Sequence, residues 1–348
     1  TRNRGKLPFT ENEKQLINTV KEELETAFEI EIDLFRILED HILNFQYDYK
    51  KYIELLQKKS PKLVFLVVAY ENKALVAACK KMNIEIIELQ HGTISPYHLG
   101  YSYPENTMKF NDEIKEIEYF PDKILSFGDY WKNACPFPID SENIISMGFP
   151  YFEENSKTYM KIAEDKISED GKDGKTQEKQ ILFISQGVIG KYLSQLAYET
   201  ASNINGNNEN NNTQKYNFIY KLHPGEYGTW KENYDYLTRA VDEFDNFTVI
   251  DKSEPPLYEL FAKSHYQIGA FSTAIYEGLA FNCKTFIIDV PGVEYLDDLI
   301  DKDIVKKVKN SEELINYINS EKISIQEYDK DYFFKSFDET IFKKILSD

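Results

Sequence analysis

Apolar residues recur at three- and four-residue steps through residues 11–58: Leu16, Val20, Leu24 and Phe28, then Ile32, Leu34, Phe35, Ile37, Leu38, Ile42 and Leu43. That is the period of an amphipathic helix, so the chain is expected to open with helices. From residue 60 the pattern changes. Residues 62–69 form one continuous apolar run of strand length, and residues 72–82 return to helical spacing through Ala74, Leu75, Ala77 and Ala78. Residues 84–89 make a second apolar run. Strand–helix–strand with near-continuous apolar strands predicts a parallel sheet covered on both faces. Residues 123–127 and 143–147 read as further strands, the latter closing on Gly148-Phe149-Pro150.

The alternation then breaks. Residues 153–180 carry no strong apolar run and are rich in Lys, Glu, Asp, Ser and Gly, which is linker composition. It resumes with strands at 181–185, 217–222, 247–250, 265–270 and 284–289, and with helices at 191–203, 256–264 and 273–281. The asparagine-rich stretch 205–214 reads as a loop, and 328–346 as an amphipathic helix. The expected architecture is α/β: a first domain at 1–152 with a helical start, a charged linker at 153–180, a second domain at 181–330 and a C-terminal helix at 331–348.

A length of 348 residues agrees with about two domains of ~150 residues each. The net charge of −18, from 59 acidic against 41 basic residues, argues against a nucleic-acid partner, which needs a basic stripe to displace counterions. It argues equally against docking on anionic lipid through a polybasic helix. No run approaches the ~20 apolar residues of a bilayer span, and no secretory leader pattern opens the sequence. Cys79, Cys135 and Cys283 lie among apolar neighbours without metal-ligand spacing, so they read as buried thiols of a reducing compartment. A cytoplasmic location follows, with at most peripheral association at the inner face of the membrane.

Four short segments carry candidate chemistry, each at a predicted strand end. In open α/β sheets ligands bind outside the carboxyl ends of the strands, so histidines ending strands in both halves point to one cleft between two domains. The first segment is Gln90-His91-Gly92-Thr93, where His91 is placed as a general base and Gln90, Gly92 and Thr93 as acceptor-side groups. The second is Lys221-Leu222-His223-Pro224-Gly225. Proline favours the first turn of a helix, so His223 would sit at an N-terminus suited to phosphate, beside Lys221 and Pro224. The third is Ser272-Thr273 opening a helix, with Glu277 one turn on and able to accept the hydroxyls of a ribose. The fourth is Gln186-Gly187, offering backbone N–H groups to a donor. Glu88 and Glu226 are the fallback bases. No acidic pair or Cys/His cluster is placed to hold a metal, so a metal-independent transfer without cofactor is expected, with helix dipoles and hydroxyls receiving the leaving phosphate. No G-x-G-x-x-G follows the first strand, against a dinucleotide oxidoreductase.

The order of these motifs resembles bacterial GT-B transferases of surface-polysaccharide synthesis. Gln90-His91-Gly92-Thr93 is similar to the His-Gly-Thr segment of CDP-glycerol glycerophosphotransferases, whose histidine serves as base. Lys221-Leu222-His223-Pro224 resembles the His-Pro motif of those enzymes and of bacterial sialyltransferases and polysialyltransferases, where it contacts the donor phosphate. Phe271-Ser272-Thr273 with Glu277 looks like their Ser-Ser or Ser-Thr helix start, and Gly148-Phe149-Pro150 like the Gly-x-Pro turn ending a first GT-B domain. The resemblance implies two Rossmann-like domains facing each other across a cleft. It implies an inverting glycosyltransferase that moves a sugar from a CMP- or UDP-linked donor to a hydroxyl of a polysaccharide or glycolipid. Gly269-Ala270-Phe271 stands where teichoic-acid enzymes carry Thr-Asp-Tyr, and no Asp/Glu-Asp/Glu-Gly motif of sialyltransferases is found. Three alternatives stay open: a glycerol- or ribitol-phosphate transferase, a nucleotide-sugar 2-epimerase, and an inactive GT-B scaffold.

Overall fold

The computed structural model describes residues 7–103, 109–110, 113–114, 119–169, 178–207, 214–320 and 330–347. Two helices come first, α1 (Glu11–Phe28) and α2 (Leu34–Lys59). Thr10 opens α1 with a reciprocal capping box to Glu13, and Glu29 ends it in the left-handed region. Then follow β1 (Leu63–Leu66), α3 (Lys73–Lys81) and β2 (Glu85–Leu89). β1 and β2 pair in parallel with Phe65 opposite Ile87. The first apolar run therefore yields a shorter strand than its composition predicts. Val68 turns left-handed at φ 58°, and the Ala69 N–H donates to Glu88 Oε1 at 3.2 Å rather than to a strand.

Two short strands, β3 (Lys109–Phe110) and β4 (Glu113–Ile114), pair antiparallel. β5 (Lys123–Ser126) and β6 (Ile144–Ser146) complete a four-stranded sheet of order β1-β2-β5-β6. The residues expected to form a linker are helical as far as Glu169, in α4 (Pro150–Glu169). Among its described side chains, through Lys166, the buried ones are Phe152, Ser156, Ala163 and Lys166, two of them apolar, and that hid the helix in the sequence. α4 packs on α8, introduced below. Residues 170–177 of the expected linker lie outside the described residues.

Six strands build the second sheet: β7 (Lys179–Ile184), β8 (Tyr216–Lys221), β9 (Phe247–Ile250), β10 (Tyr266–Gly269), β11 (Lys284–Ile288) and β12 (Lys306–Val308). All neighbours are parallel, in the order β12-β11-β10-β7-β8-β9. Counted from β7, that is the doubly wound order 3-2-1-4-5-6 of a Rossmann fold. Helices α5 (Gly190–Asn207), α6 (Trp230–Asn233), α7 (Asp235–Glu243), α8 (Leu257–Lys263), α9 (Thr273–Ala280), α10 (Asp297–Asp301) and α11 (Ser311–Asn319) connect or cover the strands. β10 is buried along its whole length, as a strand covered on both faces must be. β12 and α11 went unpredicted, because Lys306-Lys307-Val308 carries one apolar residue and gains strand geometry only by pairing with β11. The loop expected at 205–214 starts late, since α5 runs to Asn207; residues 208–213 lie outside the described residues.

The C-terminal helix is corrected to two short ones, α12 (Lys330–Phe333) and α13 (Glu339–Ser347). Between them the backbone is used elsewhere: Lys335 N–H donates to Phe127 O at 2.9 Å and Asp338 N–H to Met147 O at 2.9 Å. Asp338 then caps α13 through its side chain. Both sheets support the expected class, α/β with Rossmann-like halves. The chain divides into two compact units, Thr1–Gln90 with Glu105–Ile124 and Pro138–Asn143, and His91–Pro104 with Leu125–Phe137 and Ile144–Asp348. Segments expected in the first domain thus group with the second, starting at His91 itself. No described helix is long and apolar enough to cross a membrane.

Candidate functional site

Strand order reverses in the second unit between β7 and β10, which are hydrogen-bonded neighbours. The connections leaving the carboxyl ends of such a pair diverge to opposite faces and open a crevice, where α/β proteins bind ligands. Gln186-Gly187 follows β7, and Ser272-Thr273 follows β10. The two loops are tied together, since Gln186 Nε2 donates to Phe271 O at 3.3 Å. Gln186 Oε1 is buried without a hydrogen-bond partner among the described residues. A Cβ built on Gly187 would meet nothing within 4 Å, so the loop leaves open space there.

Ser272 is the N-cap of α9, its Oγ accepting from Ala274 N–H at 3.3 Å. Thr273 Oγ1 lies 3.4 Å from Thr93 Oγ1, and a Cβ on Gly92 would sit 3.8 Å from the same Thr273 atom. The structure therefore brings the Gly92-Thr93 pair to the start of α9. His91 is exposed, Gln90 is buried, and Gly92 and Thr93 are half-buried. The fallback base Glu88 is fully buried and accepts from Ala69 N–H, which ties it into the core.

β8 neighbours β7 and ends at Lys221, two residues before His223. His223 caps not a long helix but a single 3-10 turn, Pro224–Glu226, so the expected helix dipole is reduced to one turn's worth of free N–H groups. The side chain is nonetheless fixed. Its Nδ1 accepts from Gly225 N–H at 3.1 Å, so in the neutral ring the proton sits on Nε2, on an exposed residue. Glu226 closes the reciprocal half of the box, accepting from His223 N–H at 2.8 Å on Oε2. Its Oε1 accepts from Ser185 Oγ at 2.9 Å and from Tyr234 OH at 2.6 Å. Tyr220 OH in turn donates to Ser185 Oγ at 3.2 Å. Burial raises the pKa of both tyrosines, with the Glu226 charge adding to it, and that keeps them protonated as donors. Glu226, the other fallback base, is thus the buried hub that holds the His223 turn against β7. Only glycine fits at 190, where a Cβ would lie 2.2 Å from Tyr234 OH and 2.7 Å from Glu226 Oε1.

Two expected donor contacts are placed differently. Lys221 is buried, and its ammonium is engaged by Tyr227 OH at 3.0 Å and by the Lys252 carbonyl, which makes it a strut between β8 and the loop after β9. Glu277 faces a cavity of about 260 Å³ lined by Tyr151, Asn155, Tyr159, Pro256, Leu257 and Tyr258. Tyr258 OH donates to Glu277 Oε1 at 3.2 Å. Burial pushes the Glu277 carboxyl up to about 7, against a smaller lowering by that hydrogen bond.

Sequence reasoning passed over His98. It is half-buried, with its ring 4.6 Å from Tyr101 and 6.2 Å from Tyr295, and its Nδ1 accepts from Gly100 N–H at 3.1 Å. Burial holds its pKa below the ordinary value, and the charge of His91 adds to the lowering. A histidine seven residues after His91 has no periodic signature, so only the fold pairs them. Cys79, Cys135 and Cys283 are free and buried, and burial pushes their thiols up to about 11, 12 and 11. Among the described residues no group of three His, Cys, Asp or Glu is placed to hold a metal ion.

A family model for alpha-2,8-polysialyltransferases matches residues 10–290, a span containing every candidate residue above. The chain belongs to that family. It is a glycosyltransferase of surface-polysaccharide synthesis, with a nucleotide-sugar donor and a glycan acceptor as partners. No curated protein matches it. Among solved structures it is similar to UDP-GlcNAc 2-epimerase from Neisseria meningitidis bound to UDP-GlcNAc, at 14% identity and a TM-score of 0.56, over 94% of this chain and 88% of that one. It is also similar to UDP-GlcNAc 2-epimerase from Methanocaldococcus jannaschii, at 11% identity and a TM-score of 0.55, over 88% of this chain and 83% of that one. At such identity the likeness shows a shared fold.

Proposed function

We propose that this polysialyltransferase-family chain extends an α2,8-linked sialic acid polymer, taking each sugar from a CMP-linked donor with inversion and without a divalent metal. The observation that carries this reading is the convergence of the Gln186-Gly187 loop, the Ser272 cap of α9 and the Gly92-Thr93 pair at the strand-order reversal. The acceptor hydroxyl attacks the anomeric carbon of the donor sugar as the bond from that carbon to the phosphate oxygen breaks. His91 takes the hydroxyl proton, and Gln90, Gly92 and Thr93 line the acceptor's approach. CMP leaves with the bonding pair. Its phosphate is received by His223 Nε2–H, with Pro224 shaping the turn, and by the Ser272 and Thr273 hydroxyls at the start of α9. Glu277, facing its own tyrosine-lined cavity, is left out of the donor contacts. Lys221 supports the site through Tyr227 rather than by touching the donor. The enzyme works in the cytoplasm, with at most peripheral membrane contact.

The test is incubation of the intact protein with CMP-sialic acid and an α2,8-linked sialic acid oligomer, with and without EDTA. Acceptors lengthened by single residues and equal release of CMP, unchanged by EDTA, are expected. Loss of activity in EDTA with rescue by magnesium would overturn the metal-free mechanism. Absence of elongation together with interconversion of UDP-GlcNAc at C2 would replace the transferase reading with an epimerase.

A further inference from the structure

The cavity that Glu277 faces takes no part in the transfer above. It lies between α4, the start of α8 and α9, all within the second unit. Tyr151, Asn155 and Tyr159 are spaced by four residues on α4, so one face of that helix supplies them together. Leu257 and Tyr258 come from the first turn of α8, and Glu277 from α9. The Tyr151 and Tyr258 rings have centroids 6.4 Å apart and are tilted by 54°. A group seated between them is within the ~6 Å of both rings at which an aromatic face attracts a cation. The volume, about 260 Å³, falls below the ~300–1,000 Å³ of drug-sized sites and suits a ligand of few heavy atoms.

Among the described residues the lining carries one acid and no lysine, arginine or histidine. From α8, Tyr258 OH donates to one oxygen of that carboxyl; from α4, the titratable groups facing it are Tyr151 and Tyr159. No cation of the lining compensates Glu277, and burial holds its proton on up to about pH 7. A phenol ordinarily titrates near ~10, and burial together with the Glu277 charge raises Tyr258 further. The carboxyl is therefore the group that changes charge near neutrality. A calcium ion takes ~6–8 oxygens, whereas this lining offers one carboxylate, one amide and phenols among apolar carbons. One carboxylate beside three tyrosines complements an alkylated ammonium instead, whose charge meets the carboxylate while its methyl or methylene groups pack on the rings.

We infer that this cavity is a binding site for a small organic ammonium ion, with Glu277 as its counter-charge and Tyr151, Tyr159 and Tyr258 as its cage. The site is separate from the donor and acceptor chemistry and does not depend on it. Choline is the probe, titrated calorimetrically into the intact protein at fixed ionic strength. Binding uses the ionised carboxyl, so affinity should rise about tenfold from about pH 6 to about pH 8, as the ionised fraction does for a group titrating near 7. Glu277→Gln should weaken binding about tenfold at the higher pH and remove the pH dependence. Tyr151→Ala, at an exposed position, should weaken it about three- to tenfold, and Tyr151→Phe, which keeps the ring, should bind as wild type does. The uncharged tert-butyl analogue of choline should bind about tenfold more weakly than choline itself. Failure of the wild-type protein to bind choline, equal binding of the uncharged analogue, or wild-type affinity in Glu277→Gln would each overturn the site. Saturating CMP should leave choline affinity unchanged; displacement of choline by CMP would return the cavity to the donor and overturn the inference. Choline binding in a protein that transfers no sialic acid would remove the proposed function and leave this site standing.

Discussion

The two histidine segments are held in opposite ways. His223 sits on a turn built almost entirely by its own neighbours: Pro224 follows it, Gly225 donates to its ring and Glu226 caps its backbone, all within three residues. His91 lies in irregular backbone, and two contacts of its segment, Thr93 on Thr273 and Tyr295 OH donating to Tyr97 O at 3.1 Å, reach across about 180 or more positions of sequence. A locally built turn keeps its shape whatever occupies the site, which suits a group that receives a phosphate. A segment whose contacts include such distant partners depends on the tertiary fold for its position, and geometry of that kind can tighten in a reactive complex.

The largest effect expected from breaking this contrast is on the His91 side. His91→Ala should lower kcat by ~10²–10⁴, as for a lost acid–base group, and leave CMP affinity unchanged in calorimetry. Near-normal turnover would remove the base assignment, with Glu88 and Glu226 both already committed to buried contacts. Next comes the hub. Glu226→Ala strips the acceptor from Tyr234, Ser185 and the His223 N–H at once. At ~1–3 kcal/mol for a buried unsatisfied group, thermal unfolding should report a loss of at least that size, together with weaker CMP binding. Retention of both would show that the turn does not depend on its hub.

His223→Ala is expected to be milder, weakening CMP binding by about 1.5–3 kcal/mol for a charge-assisted hydrogen bond while kcat at saturating donor changes little. His223→Asn, which preserves the capping acceptor, separates support of the turn from donation to phosphate. The smallest effect concerns Glu277. Burial raises its folded pKa to about 7, above its ordinary value of 4.5, so the folded state holds the proton more tightly. The stability this contributes is complete below about 4.5 and is lost as pH rises through about 7. Glu277→Gln should flatten the fall of Tm across that window, each kcal/mol regained being worth roughly 2–4 °C. An unchanged pH profile would mean the carboxyl is not buried in solution.

The second sheet was the most legible part of the molecule. Its strands are buried on both faces, so continuous apolar runs such as 181–184 announce them without any tertiary knowledge. α4 was not legible, because a helix whose buried face includes Ser156 and Lys166 carries no clean periodic stripe. β12 was not legible either, since a three-residue edge strand is defined by its partner rather than by its composition.

By itself the sequence determined the alternation of elements, the helix cap at Ser272 and the His223-Pro224-Gly225-Glu226 turn. Each of these is decided by residues within about one turn of one another, through side chains that satisfy adjacent backbone groups. The tertiary structure alone decided that β7 and β10 are neighbours, and so that Gln186 and Phe271 border one crevice. It alone tied up Lys221, turned Glu277 toward a tyrosine-lined cavity and placed Thr93 against Thr273. Strand order and burial depend on which apolar faces meet once the chain collapses. No window of local sequence contains that information, because the partners are supplied by segments 85 to 180 residues away.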